Sequence, residues 1–395
     1  MARADSGREG SGREERSDPD VTILGTAHNA ADARLHRLCA ALLRAGLRVE
    51  VIARGSADDA PKPTLFVGTP KRGIIGRGVQ AMVFPVRARG PVVLTMDPDL
   101  VPAARLRRAL ARGTRLVVDV QEDYVTLLAD RAWARGVVGV IAKAWAHAAV
   151  ALARGADMTV VADDHVPPLT AVNRLVVRNM PDLGMLPKAG VQLDGVPRAL
   201  YIGDVRESRG LFTMLRMIEL APDWHLDIVG PVAARDEARL SEWQATSGAA
   251  SRVRLHGRMP PKEAWKLAPG AWAGISLLHS TPAFEDAMPS KIYEYFTCGL
   301  PVLTTPIRRA AQLVEQAAAG AVVADPEAAA ATLNGWSSTD RGGFELCRKA
   351  AVGWSERTLA EPSPYDRFAA AVVDLVAQTR PDRAAPVPTA TNEAR

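Results

Sequence analysis

Cysteine is scarce in this chain, with three in 395 residues, Cys39, Cys298 and Cys347, far apart and odd in number. That argues against a disulfide framework or a zinc site and fits a reducing compartment. No stretch of about 20 uncharged apolar residues occurs, so no membrane-spanning helix is expected. Gly-x-Gly-x-x-Gly and Walker loops are missing too, which leaves nicotinamide and ATP chemistry unsupported. The seven histidines show no ligand spacing. Residues 1–20 and 381–395 lack apolar runs and read as disordered tails, the first unlike a signal peptide. What remains is ordinary for a globular protein, 48% hydrophobic and 24% charged. The formal charge of +5 permits an anionic partner without specifying one.

The length favours two domains over one core. Val21–Thr26 reads as a strand, about Ala31 to Ala45 as a helix ended by Gly46, and Arg48–Ala53 as the returning strand. Such a unit opens a Rossmann-type domain. Further apolar runs at Val92–Met96, Leu116–Val120, Met158–Ala162 and Leu175–Val177 alternate with helical segments, as a parallel sheet covered on both faces requires. The pattern restarts after Met185–Pro197. Strands are expected at Ala199–Gly203, Leu226–Gly230, Arg252–Gly257, Gly274–Leu278 and Val302–Thr304, with helices at Arg209–Leu220 and Ala233–Thr246. The expected organisation is an N-terminal domain over 21–188 and a C-terminal domain over 189–362. A last helix, about Pro364–Gln378 within 363–380, follows.

The most telling segment is Ala287-Met-Pro-Ser-Lys-Ile-Tyr-Glu-Tyr-Phe-Thr-Cys-Gly-Leu-Pro-Val302. Pro289 suits the first helical position, Gly299 the left-handed position past the end, and Pro301 blocks continuation. Lys291 and Glu294 thus lie on a short helix whose N-terminus favours anions, phosphate above all. Glu294, as an exposed cleft carboxylate, would accept hydrogen bonds from sugar hydroxyls. Phosphate and polyol together point to a nucleotide sugar.

With Asp286 eight residues before Glu294, followed by Gly-Leu-Pro-Val, the segment resembles the donor motif of retaining glycosyltransferase family 4. That resemblance implies an α/β fold of the GT-B type, two Rossmann-like domains facing a cleft, the last helix crossing back to the first domain. It implies transfer of a sugar from a nucleotide diphosphate to an acceptor hydroxyl with retention. It also implies no cofactor, no metal and no nucleic-acid partner. Glu294 would hold the ribose, Asp286 the donor sugar with Glu285 as its neighbouring candidate, and Arg209 with Lys291 the diphosphate. Ser290 and Gly203 complete the donor set.

Tyr201-Ile-Gly-Asp-Val-Arg-Glu-Ser-Arg-Gly210 resembles the family's Gly-Arg-x4-Lys-Gly loop. Arg209 fills the lysine position and Asp204 the arginine position, with Arg206 two residues on as a substitute cation. Cations here would stabilise the departing diphosphate. Ala27-His-Asn-Ala-Ala-Asp-Ala-Arg34 resembles a loop of one subgroup that faces the cleft. It makes His28, Asp32 and Arg34 candidates for diphosphate or acceptor contacts, although Asp32 reads equally well as a helix cap. Val118-Asp-Val-Gln-Glu-Asp-Tyr124 resembles Asp-x-His-Glu. Asp119 and Glu122 match, and Gln121 stands where histidine does. Asp97-Pro98-Asp99 matches a short metal motif of another fold and is set aside. Asp204, Gln121 and Met96 keep a second reading open, a member that binds nucleotide or partner without turnover. A sugar-nucleotide epimerase of the same fold is a third.

Arg131–Arg154 has helical periodicity. Trp133, Val137, Ile141, Trp145 and Ala149 form one stripe; Arg131, Arg135, Lys143 and His147 form another, roughly opposite. Tryptophan with basic residues is the composition of an interfacial helix. Arg105, Arg107, Arg108, Arg112 and Arg115 cluster in the same domain. The expectation is a cytoplasmic protein resting on the inner face of the cell membrane, near a glycan or lipid-linked acceptor. The competing expectation buries Trp133 and Trp145 and leaves the arginines solvated.

Overall fold

The computed structural model describes residues 18–124, 136–189, 192–281, 284–285, 288–359 and 363–379. Its first part runs β1 (Val21–Asn29), α1 (Ala33–Arg44), β2 (Val49–Arg54), β3 (Leu65–Thr69), α2 (Ile74–Arg87) and β4 (Val92–Thr95). It continues through α3 (Val101–Leu110), β5 (Arg115–Val120), α4 (Gly136–Ala153), β6 (Met158–Val161) and β7 (Arg174–Val176). The strands form one parallel sheet in the order β3-β2-β1-β4-β5-β6-β7. Strands such as Val92–Thr95 are buried at every residue because helices cover both faces.

The second part runs β8 (Arg198–Ile202), a 3-10 turn at Glu207–Arg209, α5 (Leu211–Leu220), β9 (His225–Val229), α6 (Ala234–Thr246) and β10 (Val253–Gly257). Then come α7 (Pro261–Trp265), β11 (Ala273–Ser276), α8 (Ser290–Thr297), β12 (Val302–Thr304), α9 (Arg308–Ala317) and β13 (Gly320–Val322). Helices α10 (Pro326–Ser337), α11 (Gly342–Thr358) and α12 (Pro364–Thr379) close the described chain. The second parallel sheet has the order β10-β9-β8-β11-β12-β13.

Two strands escape the sequence reading. β3 is a half-exposed edge strand whose apolar run is only the three residues Leu65 to Val67, and β13 is three residues long. The helix expected from Arg209 begins instead at Leu211, because Gly210 takes a left-handed φ of 85° and separates it from the 3-10 turn. α8 starts at Ser290 with Pro289 as its cap, one residue later than expected, and Gly299 past its end has φ 73°.

Each sheet is packed on both sides. α1 and α12 cover one face of the first sheet, where Leu35, Leu38 and Leu42 meet Tyr365, Phe368 and Val372. Thus the final helix lies in the core of the first sheet although it follows the second in sequence. Helices α2, α3 and α4 cover the opposite face over two smaller clusters. In the second part, Trp224, Trp272 and Phe344 fill one core, and Trp265, Tyr295 and Phe296 fill the other.

Candidate functional site

Each sheet has a point where the chain reverses its direction of winding. In the first, β1 to β3 build one way and β4 to β7 the other; in the second, the reversal falls between β8 and β11. Loops leaving adjacent strand ends there diverge and open a crevice, the usual ligand position in such sheets. His28 lies at the C-terminal end of β1, Asp97 follows β4, and Gly203 follows β8.

The C-terminal wall is a cluster of cations. Lys291, in the first turn of α8, is buried, and its Nζ has no hydrogen-bond partner among the described residues. It sits 3.9 Å from the centre of the Tyr201 ring. Gly203, at φ 147°, makes room for it, since a Cβ there would lie 2.8 Å from Lys291 Nζ. Burial, with the neighbouring charge of Arg209, pushes the Lys291 amine down from 10.5 to about 7 despite Glu294 and Asp204. Arg206 Nε and Arg209 Nε are likewise buried without partners among the described residues. Asp204 is ion-paired with Arg206 at 3.3 Å. Gly210 holds the loop against β11's exit, because a Cβ there would fall 2.0 Å from the Leu277 carbonyl oxygen. Buried donors with nothing to donate to are costly unless a ligand supplies acceptors. A diphosphate, multiply charged and rich in acceptor oxygens, meets that need.

The N-terminal wall is organised by Asp97. It accepts from the backbone N–H of Thr26 at 2.8 Å and of Ala27 at 2.9 Å, and His28 Nδ1 lies 3.1 Å away. Burial opposes both charges, but the two groups support each other. Asp97 is held down at about 2 and His28 is raised to about 9. His28 therefore presents a cation at neutral pH. Asp99 takes Arg77 Nε at 2.7 Å and the Thr26 hydroxyl at 2.9 Å. Both carboxylates of the Asp-x-Asp segment are thus engaged in shaping the C-terminal end of β1. Among the described residues no group of three or more His, Cys, Asp or Glu is placed to hold a metal ion.

Several expected contacts are spent internally. Asp32 caps α1, accepting from Leu35 N at 3.0 Å. Arg34 is buried in a two-pronged pair with Asp119, at 2.8 and 2.6 Å, and also donates to the Val177 carbonyl at 2.8 Å. It braces the sheet edge and does not offer those donors to the cleft. Gln121 donates to Asp119 at 3.2 Å, and its amide stands 3.1 Å from His28 Nε2. Glu122 and Glu285 are exposed, and Ser290 opens α8. Asp286 lies outside the described residues.

Glu294 corrects the sequence reading most. It is buried, not exposed, and Arg37 Nη2 of α1 reaches its Oε1 at 2.6 Å. The pair joins the two domains across the cleft. A second contact, Arg309 Nη2 to Asp163 Oδ2 at 3.4 Å, also crosses it. Arg37 lies one helical turn beyond Arg34 on α1. Its partner is 257 residues away, and no local pattern marks it. Asp97 carried a visible signal, an acidic residue at the end of a buried strand, and its carboxylate anchors the backbone of Thr26 and Ala27.

Residues 188–350 match the model of the family described as glycosyl transferases group 1. No curated protein matches the sequence significantly. Among solved structures, sucrose-phosphate synthase from Thermosynechococcus elongatus is similar at 14% identity and a TM-score of 0.64. The match covers 90% of this chain and 99% of that one. HepE of Anabaena, solved in complex with UDP and glucose, aligns at 13% identity and a TM-score of 0.63, over 90% and 99% of the two chains. WaaG, a glycosyltransferase involved in lipopolysaccharide biosynthesis, aligns at 15% and 0.61, over 89% and 99%. The architecture of this chain is the GT-B fold, with two Rossmann-like domains.

Proposed function

We propose that this protein, whose C-terminal domain is a group 1 glycosyltransferase domain, transfers a sugar from a nucleotide-diphosphate donor to an acceptor hydroxyl. The observation that carries the reading is the buried amine of Lys291, without a hydrogen-bond partner among the described residues, beside Arg209, which in turn neighbours Arg206. The donor's diphosphate would lie between this cluster and the start of α8, where the helix dipole adds to its attraction. As the glycosidic bond breaks, charge gathers on the departing phosphate, and cations already in place lower the barrier. They would meet that charge without a metal ion. Glu294 would bind the ribose once Arg37 releases it, and Asp286 and Glu285 would flank the donor sugar. His28, cationic and close to Gln121, would complete the opposite wall, with Glu122 in the same loop region.

The reaction proposed is a hexosyl transfer with retention, in which the leaving phosphate accepts the acceptor's proton on the same face. The acceptor would be a glycan or a lipid-linked hydroxyl in glycan, exopolysaccharide or glycolipid synthesis, met in the cytoplasm at the inner face of the cell membrane. UDP-sugars are the first donors to test, since HepE, of the same fold, was solved with UDP and UDP-glucose.

Calorimetric titration of UDP-, GDP- and ADP-sugars identifies the base, and release of labelled sugar from the donor that binds tests turnover. Arg209→Ala should lower turnover on the order of 100-fold with its melting temperature unchanged. Tight binding with no sugar release from any donor would favour the member without turnover. If Arg206→Ala abolishes release while Arg209→Ala does not, the leaving-group role passes to Arg206.

A further inference from the structure

The face of the first sheet covered by α2, α3 and α4 is apolar on both of its sides. Its inner side packs on the strands through residues such as Phe84, Ala104 and Ala153. On α2 the solvent side carries Ile75, Val79, Met82 and Val86, a stripe with spacings of four, three and four residues. Ile74 and Ile75 are 91% and 86% exposed. Leu106 and Leu110 continue the surface on α3, and Val137, Ile141 and Trp145 on α4, Val137 being 76% exposed. The three helices pack side by side, α2 on α3 and α3 on α4. Contiguous exposed apolar area of this kind marks a surface that meets something other than water.

The charge of this face is one-sided. Residues 70–96, 100–118 and 131–156 contain no Asp or Glu. Lys71, Arg72, Arg87, Arg112 and Lys143 are exposed along it. Other basic residues of the arginine cluster are consumed within the fold. Arg105 donates to the Gly155 carbonyl, Arg107 to the Ala88 carbonyl at 2.7 Å, and Arg108 pairs with Asp157 at 2.5 Å. Val137, Ile141 and Trp145 of the tryptophan stripe are exposed while Ala149 is buried, so burial of Trp145 against the sheet is not what the structure shows; Trp133 lies outside the described residues.

We infer that the α2–α3–α4 face seats the N-terminal domain on a lipid bilayer bearing acidic headgroups. A second copy of this chain fits poorly, because a twofold contact would set the same acid-free basic surfaces against each other. A bilayer supplies both complements at once, acyl chains for the isoleucine and valine stripe and anionic headgroups for the lysines and arginines around it. Trp145, 41% exposed, adds a side chain of the type that favours a membrane interface. No described helix is long and apolar enough to cross the bilayer, so the attachment is in the plane of the surface.

The test is sedimentation of the full-length protein with vesicles, without nucleotide, so that its outcome is separate from that of donor binding. Vesicles of phosphatidylcholine with about a third phosphatidylglycerol should retain the protein at low salt, and retention should fall at least tenfold between 0.05 and 0.5 M NaCl. Ile75→Glu combined with Val79→Glu should lower retention by a similar factor. Both side chains are exposed, so the melting temperature and nucleotide binding should stay unchanged. Failure to sediment with acidic vesicles overturns the inference, as does equal binding to neutral vesicles or retention unaffected by the double substitution. A concentration-dependent dimer that the same substitutions dissolve, with no vesicle binding, would assign the face to a second copy instead.

Discussion

At the residue scale, Lys291 is the group whose environment departs furthest from water within the proposed donor site. Its amine falls from 10.5 to about 7 on folding. Between those values the unfolded chain binds more protons than the folded one, so this group makes stability rise with pH across the window. Below about 7 its full penalty applies. A bound diphosphate would restore the proton by supplying the missing opposite charge. Nucleotide binding at pH 8 should therefore take up a proton. The measured enthalpy should differ between HEPES and Tris by an amount that tracks their ionisation heats, and Lys291→Met should abolish the difference. Identical enthalpies in both buffers for the unaltered protein would place the diphosphate elsewhere.

At the scale of elements, α12 is the piece whose position is least expected from its place in the chain. Tyr365, Phe368 and Val372 are fully buried against α1 and the first sheet. Its apolar side repeats at helical spacing, so its existence is legible locally. Its destination is not, because any exposed sheet face would accept such a stripe. Phe368→Ala should cost about 3–5 kcal/mol by denaturant unfolding. The loss should appear as exposure of the N-terminal domain to proteolysis. If the cleavage sites that open lie only between 198 and 359, the helix stabilises the second domain and not the first.

At the scale of the whole molecule, the Arg37–Glu294 pair bridges the two domains at the proposed donor site. Both side chains are nearly excluded from water, at 5% and 9% exposed. Breaking such a pair from one side leaves a buried charge uncompensated, at a cost of roughly 3–5 kcal/mol. Glu294→Ala should therefore lose stability as well as nucleotide affinity, contrary to the behaviour of an exposed cleft carboxylate. Arg37→Met with Glu294→Gln removes both charges and should recover most of the stability while nucleotide binding stays weak. Unfolding curves together with calorimetry of the single and double variants check this. Full nucleotide affinity in Glu294→Ala would remove the ribose from this residue.

Much of this protein is written locally. The alternation of buried strands with helices, the restart near residue 198 and the Pro289 and Gly299 boundaries of α8 all follow from hydrophobic period and backbone chemistry. Those forces act within a few residues. Lys291, Arg209 and Gly203 were legible as a group because one loop and one helix start carry them in recognisable spacing. The partners that set their electrostatics were not. Arg37 meets Glu294, Arg34 meets Asp119, and Asp97 gathers the amides near the end of β1 only because separate strands end side by side and two domains close on each other. The apolar outer stripe of α2 shows the same division. Its spacing is plain in the residues from Ile74 to Arg87, but an apolar stripe is ordinarily a core face. Which side of the helix met the sheet was settled by Phe84 and Ala81 packing inward, leaving Ile75 and Val79 to the solvent.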